Sequence, residues 1–158
     1  NRSKSCGDFV IRNSKFTNIR RYGSVFRAKR GLVENNTYRS ASSRAINFRN
    51  ETAWPNGLYA SEIIIRDNII EDCGFDGSGN QAVISFVFER RGGGAVQSIG
   101  ARNLLIEDNT FADCPSPAIG LYAVANVVIR DNKKLTENGE FEPVQYKASR
   151  SENIRYSE

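Results

Sequence analysis

Five short stretches of this chain repeat one pattern, and that pattern leaves few folds open. Ile63-Ile64-Ile65-Arg66-Asp67-Asn68 reads as apolar residues, a charge, an Asp or Asn, and then Asn. Val10-Ile11-Arg12-Asn13-Ser14, Leu32-Val33-Glu34-Asn35-Asn36, Leu105-Ile106-Glu107-Asp108-Asn109 and Val128-Ile129-Arg130-Asp131-Asn132 superimpose on it without gaps. Measured between the anchors Ile11, Val33, Ile65, Ile106 and Ile129, two intervals are 22 and 23 residues. The other two, 32 and 41, read as the same period carrying insertions. Self-similarity at so short a period marks a solenoid, in which each repeat buries its apolar face only against its neighbours.

Repeats of this length are too short for helix pairs. Each motif is followed by a turn and a second apolar run: Val25-Phe26, Ala45-Ile46-Asn47-Phe48, Ala82-Val83-Ile84-Ser85-Phe86, Ala118-Ile119-Gly120-Leu121 and Pro143-Val144-Gln145-Tyr146. The runs are rich in β-branched and aromatic residues, alternate in part with a period of two, and lack helical periodicity. The expected fold is all-β, a parallel β-helix of about five rungs near residues 8–30, 31–50, 61–88, 103–124 and 126–147. Insertions are expected at 49–60, 74–80 and 89–101, and the polar segment after Lys133 reads as a frayed last coil with a turn at Asn138-Gly139.

Stacked rungs imply columns. The last motif position reads Ser14, Asn36, Asn68, Asn109, Asn132, a ladder in which each amide can bond the one above and below. Two positions earlier the column is Arg12, Glu34, Arg66, Glu107, Arg130, which would set each cation between carboxylates. If Ile11, Val33, Ile65, Ile106 and Ile129 point inward, alternation turns Val10, Leu32, Ile64, Leu105 and Val128 outward as an apolar stripe. A stripe on a parallel sheet is expected to pack on another domain, upstream coils or a second subunit, or to be covered locally by stems and loops.

Composition removes several function classes. Of 158 residues 39% are hydrophobic and 25% charged, as in a globular domain. The net charge is +4, with basic residues spread along the repeats, so no phosphate-tracking patch is expected and no nucleic-acid partner. No stretch approaches the roughly 20 apolar residues of a membrane span. With no Met in the chain, it reads as a processed or excised piece of a longer secreted or periplasmic protein. Without His there is no Ser-His or Cys-His arrangement. Three cysteines make no complete disulfide framework; Cys73 and Cys114 share a column with Ile19 and Ala41 and read as buried small hydrophobes, with a bond between them left open. Cys6 lies off that column, and no zinc site is expected.

Aligning the second runs on Ile46 and Ile84 makes Asn47 equivalent to Ser85, Arg49 to Val87 and Glu51 to Glu89. Neighbouring strands lie about 4.7–4.9 Å apart, so two carboxylates on matching positions can split their pKa values into acid and base roles. Glu51 and Glu89 are therefore the catalytic candidates. Trp54 in the first insertion is the candidate platform for a sugar ring, and Asn47, Arg49, Arg90 and Arg91 are candidate ligands for its hydroxyls. The plainer alternative is a solvated cluster of ion pairs. Asp76-Gly77-Ser78-Gly79-Asn80 spaces oxygen ligands like the start of a calcium loop, yet its twelfth position is Val87 rather than the closing Glu. No metal and no cofactor is expected, with calcium the weak exception.

Leu32-Val33-Glu34-Asn35-Asn36-Thr37-Tyr38, Ile65-Arg66-Asp67-Asn68 and Ile106-Glu107-Asp108-Asn109-Thr110-Phe111 together resemble the right-handed parallel β-helix repeat of many carbohydrate-active proteins, over nearly the whole chain. The order of Arg30-Gly31 and the second motif, the insertion with Trp54, Ser61-Glu62 and the third motif, then Glu71-Asp72-Cys73, is similar to the later rungs of the β-helical exo-α-1,3-galactosidases. That resemblance implies an inverting glycoside hydrolase acting on terminal galactose without a cofactor. Three functions stay open: glycoside hydrolase, polysaccharide lyase using a base such as Arg27 or Lys29, and a non-catalytic glycan-binding, tailspike-like module. A carbohydrate is the expected ligand of all three.

Overall fold

The computed structural model describes residues 7–50, 60–77, 82–88 and 98–158. The chain winds through successive coils. The first holds β1 (Asp8–Arg12), β2 (Lys15–Ile19) and β3 (Ser24–Phe26), and the second β4 (Arg30–Glu34), β5 (Thr37–Ala41) and β6 (Ile46–Arg49). The third holds β7 (Ala60–Arg66), β8 (Ile69–Glu71) and β9 (Ile84–Val87), and the fourth β10 (Ala101–Glu107), β11 (Thr110–Ala112) and β12 (Ile119–Tyr122). The fifth holds β13 (Val124–Arg130), β14 (Lys133–Leu135), β15 (Phe141–Pro143) and β16 (Tyr146–Ser149), and β17 (Glu152–Ser157) opens a sixth. Like strands stack into three sheets, β1-β4-β7-β10-β13-β17, β2-β5-β8-β11-β14-β15 and β3-β6-β9-β12-β16. Every pairing is parallel except β14 with β15. This is a parallel β-helix.

Each motif folds as two strands around a corner, because its penultimate residue turns the chain through left-handed backbone. Asn13, Asn35, Asp67, Asp108 and Asp131 have φ between 51° and 55°. Asn and Asp tolerate that region best among residues with a Cβ, which explains the repeated Asp or Asn. Asn18, Ser40, Asp72 and Asp113 turn the second corner in the same way. Glu62, Asn103, Asn126 and Asn153 adopt positive φ within the first sheet, and the amides of the last three hydrogen-bond rung to rung at 3.1 and 2.8 Å on the outside.

The expected columns form. Ile11 packs against the core and Val33, Ile65, Ile106 and Ile129 are fully buried, one beneath another in register. Burying such a side chain contributes about 1.5–3 kcal/mol. Phe26, Phe48 and Phe86 stack with centroids 4.8 and 4.6 Å apart, and Phe9 caps them at 4.7 Å from Phe26. Gly31 makes room for that cap, since a Cβ there would lie 2.0 Å from the Phe9 ring. The amide ladder runs from Ser14 to Asn132 as expected.

Three expectations need correction. In the charge column no arginine bridges two carboxylates: Arg66 pairs with Glu34 at 2.7 Å and Arg130 with Glu107 at 2.6 Å, and among the described residues no ion pair joins Arg12 to Glu34 or Arg66 to Glu107. The segment after Lys133 is no frayed coil: β14 and β15 form an antiparallel ribbon closed at Gly139, φ +80°, and the chain then rejoins the stack. That fold-back shifts the last strand of the third sheet, so Tyr146–Ser149 takes the place expected of 143–146. Cys73 and Cys114 are both buried and unbonded. Desolvation pushes both thiols up in pKa, Cys114 to about 12.

Candidate functional site

The third sheet carries the site. Ile46 and Phe48 of β6, and Ile84 and Phe86 of β9, turn into the core, so alternation sends Asn47, Arg49, Ser85 and Val87 to the outer face. The pairing is the one expected from the sequence: Asn47 beside Ser85, Arg49 beside Val87. Gly120 and Tyr122 of β12, then Lys147 and Ser149 of β16, continue the two outward columns. A groove of about 450 Å³ opens along this face, bounded by Arg44, Ser85, Pro117, Gly120, Tyr122 and Lys147. Gly120 keeps its floor tight against the next coil, where a Cβ would meet Ala82 at 2.7 Å.

The face is electrostatically unfinished. Asn47 is fully buried, yet neither its carbonyl oxygen nor its amide nitrogen has a hydrogen-bond partner. An unmet buried amide costs on the order of 1–3 kcal/mol. The Nε atoms of Arg44 and Arg49 are likewise buried without acceptors, and among the described residues Arg49 reaches the Tyr22 hydroxyl, at a long 3.4 Å. Three arginines of the first sheet differ. There Arg30, Arg66 and Arg130 each hold a carboxylate, Asp8, Glu34 and Glu107, and each guanidinium pKa is raised chiefly by that hydrogen bond.

Of the residues singled out in the sequence, Asn47 and Arg49 lie together on this face. Glu51, Trp54, Glu89, Arg90 and Arg91 lie outside the described residues. Glu51 follows the last residue of β6 by two positions, and Glu89 follows the last residue of β9 by two. Arg44, Tyr122 and Lys147 were not singled out. Alternation from Ile119 and Leu121 would have found Tyr122. Lys147 was hidden by the fold-back of β15, which displaced the apparent register of its strand. For calcium, Asp76 and Gly77 are described and 78–80 are not; among the described residues no three Asp, Glu or Cys side chains gather into a metal cluster.

The outward stripe on the first sheet forms one register column, with Leu32, Ile64, Leu105 and Val128 half-buried and Val10 exposed at its end. No helix among the described residues is long and apolar enough to cross a membrane.

Comparison with known proteins gives two results. A family model described as a right handed beta helix region matches residues 2–152. An alpha-1,3-galactosidase A of Bacteroides fragilis strain YCH46 is 30% identical over 124 residues, 77% of this chain and 20% of that protein. The alpha-1,3-galactosidase A of Bacteroides fragilis strain ATCC 25285 is 29% identical with the same coverage. This chain therefore spans about a fifth of the length of the curated relatives it matches.

Proposed function

This chain belongs to the right-handed β-helix family, and from that premise we propose that it is carbohydrate-active, a glycoside hydrolase of α-galactosidase type or a part of one. What supports the reading is the register of β6 on β9, which pairs Arg49 with Val87, a lining residue of the groove; Glu51 and Glu89 each follow one of these paired residues by two positions in the sequence. Similarity to two galactosidases points to terminal α-linked galactose as the glycone, attacked at its anomeric carbon and released. One glutamic acid protonates the glycosidic oxygen as the C–O bond breaks, and the other carboxylate acts at the anomeric carbon, either directly or through a water it deprotonates. Asn47 and Arg49, with Arg90 and Arg91, hold hydroxyls, and Trp54 supplies an apolar platform. In this reading the chemistry requires no cofactor, and a glycan substrate fits a protein that works outside the cytoplasm.

A second reading is a glycan-binding module without turnover. The apolar column at Leu32, Ile64, Leu105 and Val128 favours it, because such a column suits packing between subunits or domains.

The test is free-sugar release by the wild-type chain, Glu51→Gln and Glu89→Gln, from neutral α-galactosides and from uronic-acid polymers, each protein first shown to be β-structured by circular dichroism. Galactose released by the wild type and lost in both variants supports the hydrolase and its residues. Release that both variants keep discards the pair. Calcium-dependent cleavage of the uronic-acid polymers alone turns the reading to a lyase, and binding without release turns it to the module.

A further inference from the structure

Arg44 and Lys147 give the groove on the third sheet a charge character that the hydrolase reading does not use. Arg44 and Lys147 bound it, and Arg49 stands one register step from its Val87 wall. None of the three meets a carboxylate among the described residues, whereas three arginines of the first sheet are each matched to one. The Nε of Arg44 is buried with no acceptor. The rest of the lining is apolar or hydroxylic, with Ala82, Pro117, Gly120 and the half-buried ring of Tyr122. No Asp or Glu is among the described lining residues.

We propose that this groove is a binding subsite for an anionic oligosaccharide, with carboxylate or sulfate groups held by Arg44 and Lys147 and a sugar ring resting against Tyr122. The inference rests on the reading that the chain binds carbohydrate, and it names the chemical class bound. A guanidinium and an ammonium that meet no carboxylate among the described residues are the groups that recognise such anions, through charge-assisted hydrogen bonds. Arg44 precedes β6 and Lys147 lies on β16, three strand spacings away, or about 14 Å. That separation calls for a ligand of several sugar units with acidic groups apart from one another, and not for a free monosaccharide or a single anion. The apolar wall and the tyrosine ring match the C–H faces of sugar rings, which a chain of phosphates lacks.

Calorimetric titration of the wild-type chain separates the outcomes. The probes are a hexagalacturonate, its fully methyl-esterified form, a sulfated galactan oligosaccharide, the unsulfated galactan and an oligothymidylate. At least one acidic sugar should bind about ten-fold more tightly than its uncharged counterpart, with the preference shrinking as salt rises. Arg44→Gln should lower acidic-sugar affinity about ten-fold, and Lys147→Gln about three-fold because its side chain is solvated, while affinity for the uncharged sugars stays put. Lys147→Glu, a solvent-facing change that leaves the core alone, should abolish the preference. Equal affinity for acidic and uncharged sugars overturns the subsite and leaves the carbohydrate reading standing. Binding to no sugar at all overturns both, and oligothymidylate bound as tightly as the acidic sugars overturns the subsite as a general polyanion surface.

Discussion

Asn109 sits directly above Asn68, and its side-chain oxygen accepts from both the backbone N–H and the side-chain amide of Asn68, at 3.1 and 2.9 Å. The amide nitrogen of Asn109 in turn donates to the Ile65 and Glu107 carbonyls at 3.0 and 2.9 Å. One buried side chain thus closes a corner of its own coil and fastens it to the coil below. The same geometry repeats at Asn68 and Asn132.

Asn109→Ala should therefore cost about 3 kcal/mol, because it strands two donors and two acceptors in a dry corner. Urea unfolding followed by circular dichroism reads the loss. A cost below 1 kcal/mol would mean that water enters the corner and the ladder is not structural.

Gly31→Ala should push the Phe9 ring off Phe26 and destabilise the first coils by about 1–3 kcal/mol, since the new Cβ would collide with the ring. Near-ultraviolet circular dichroism should show the loss of aromatic packing. Phe9→Ala should absorb most of the penalty when combined with Gly31→Ala, and additive costs would contradict the steric account.

Asn47→Leu should raise stability by about 1–2 kcal/mol while weakening glycan binding, because it removes two unmet polar atoms from the fold and from the ligand at once. Thermal unfolding and titration with the sugar that binds best supply the two readouts. If both fall together, the amide has a structural partner and no place in the site.

The buried thiols set an alkaline limit. The Cys114 pKa stands at about 12 and that of Tyr38 at about 12, both raised above their ordinary values by desolvation. Folding thus favours the protonated forms. Their contribution is complete below pH about 9 for the thiol and about 10 for the phenol, and is lost as pH rises towards 12. Stability measured from pH 8 to 12 should decline across that window. At pH 8 folded Cys114 is thiolate in only about one molecule in ten thousand, so iodoacetamide, scored by peptide mass, should spare it until urea unfolds the chain.

Glu51 and Glu89, if stacked directly, stand near the separation of a retaining pair, about 5–5.5 Å, whereas an inverting pair needs about 6.5–9.5 Å. The anomer first released, read by proton resonance, should be the inverted one if the resemblance to the galactosidases extends to mechanism. A retained anomer would favour direct stacking of the two carboxylates.

The ladder residues, the inward column from Ile11 to Ile129 and the pairing of Asn47 with Ser85 were legible in the sequence. A solenoid repeats each environment every coil, so equivalent residues show at a fixed period, and in-register strands let two columns be aligned by eye. The sequence by itself thus determined the class of fold and the register of the motif columns. Only the tertiary structure decided that each motif bends at a left-handed Asn or Asp, because a repeated residue type does not reveal the backbone angle it serves. It alone showed the fold-back of β15 that brings Lys147 beside the groove, and the burial of Asn47 without partners. Those features depend on what neighbouring coils place against a residue, and that is a property of packing in three dimensions.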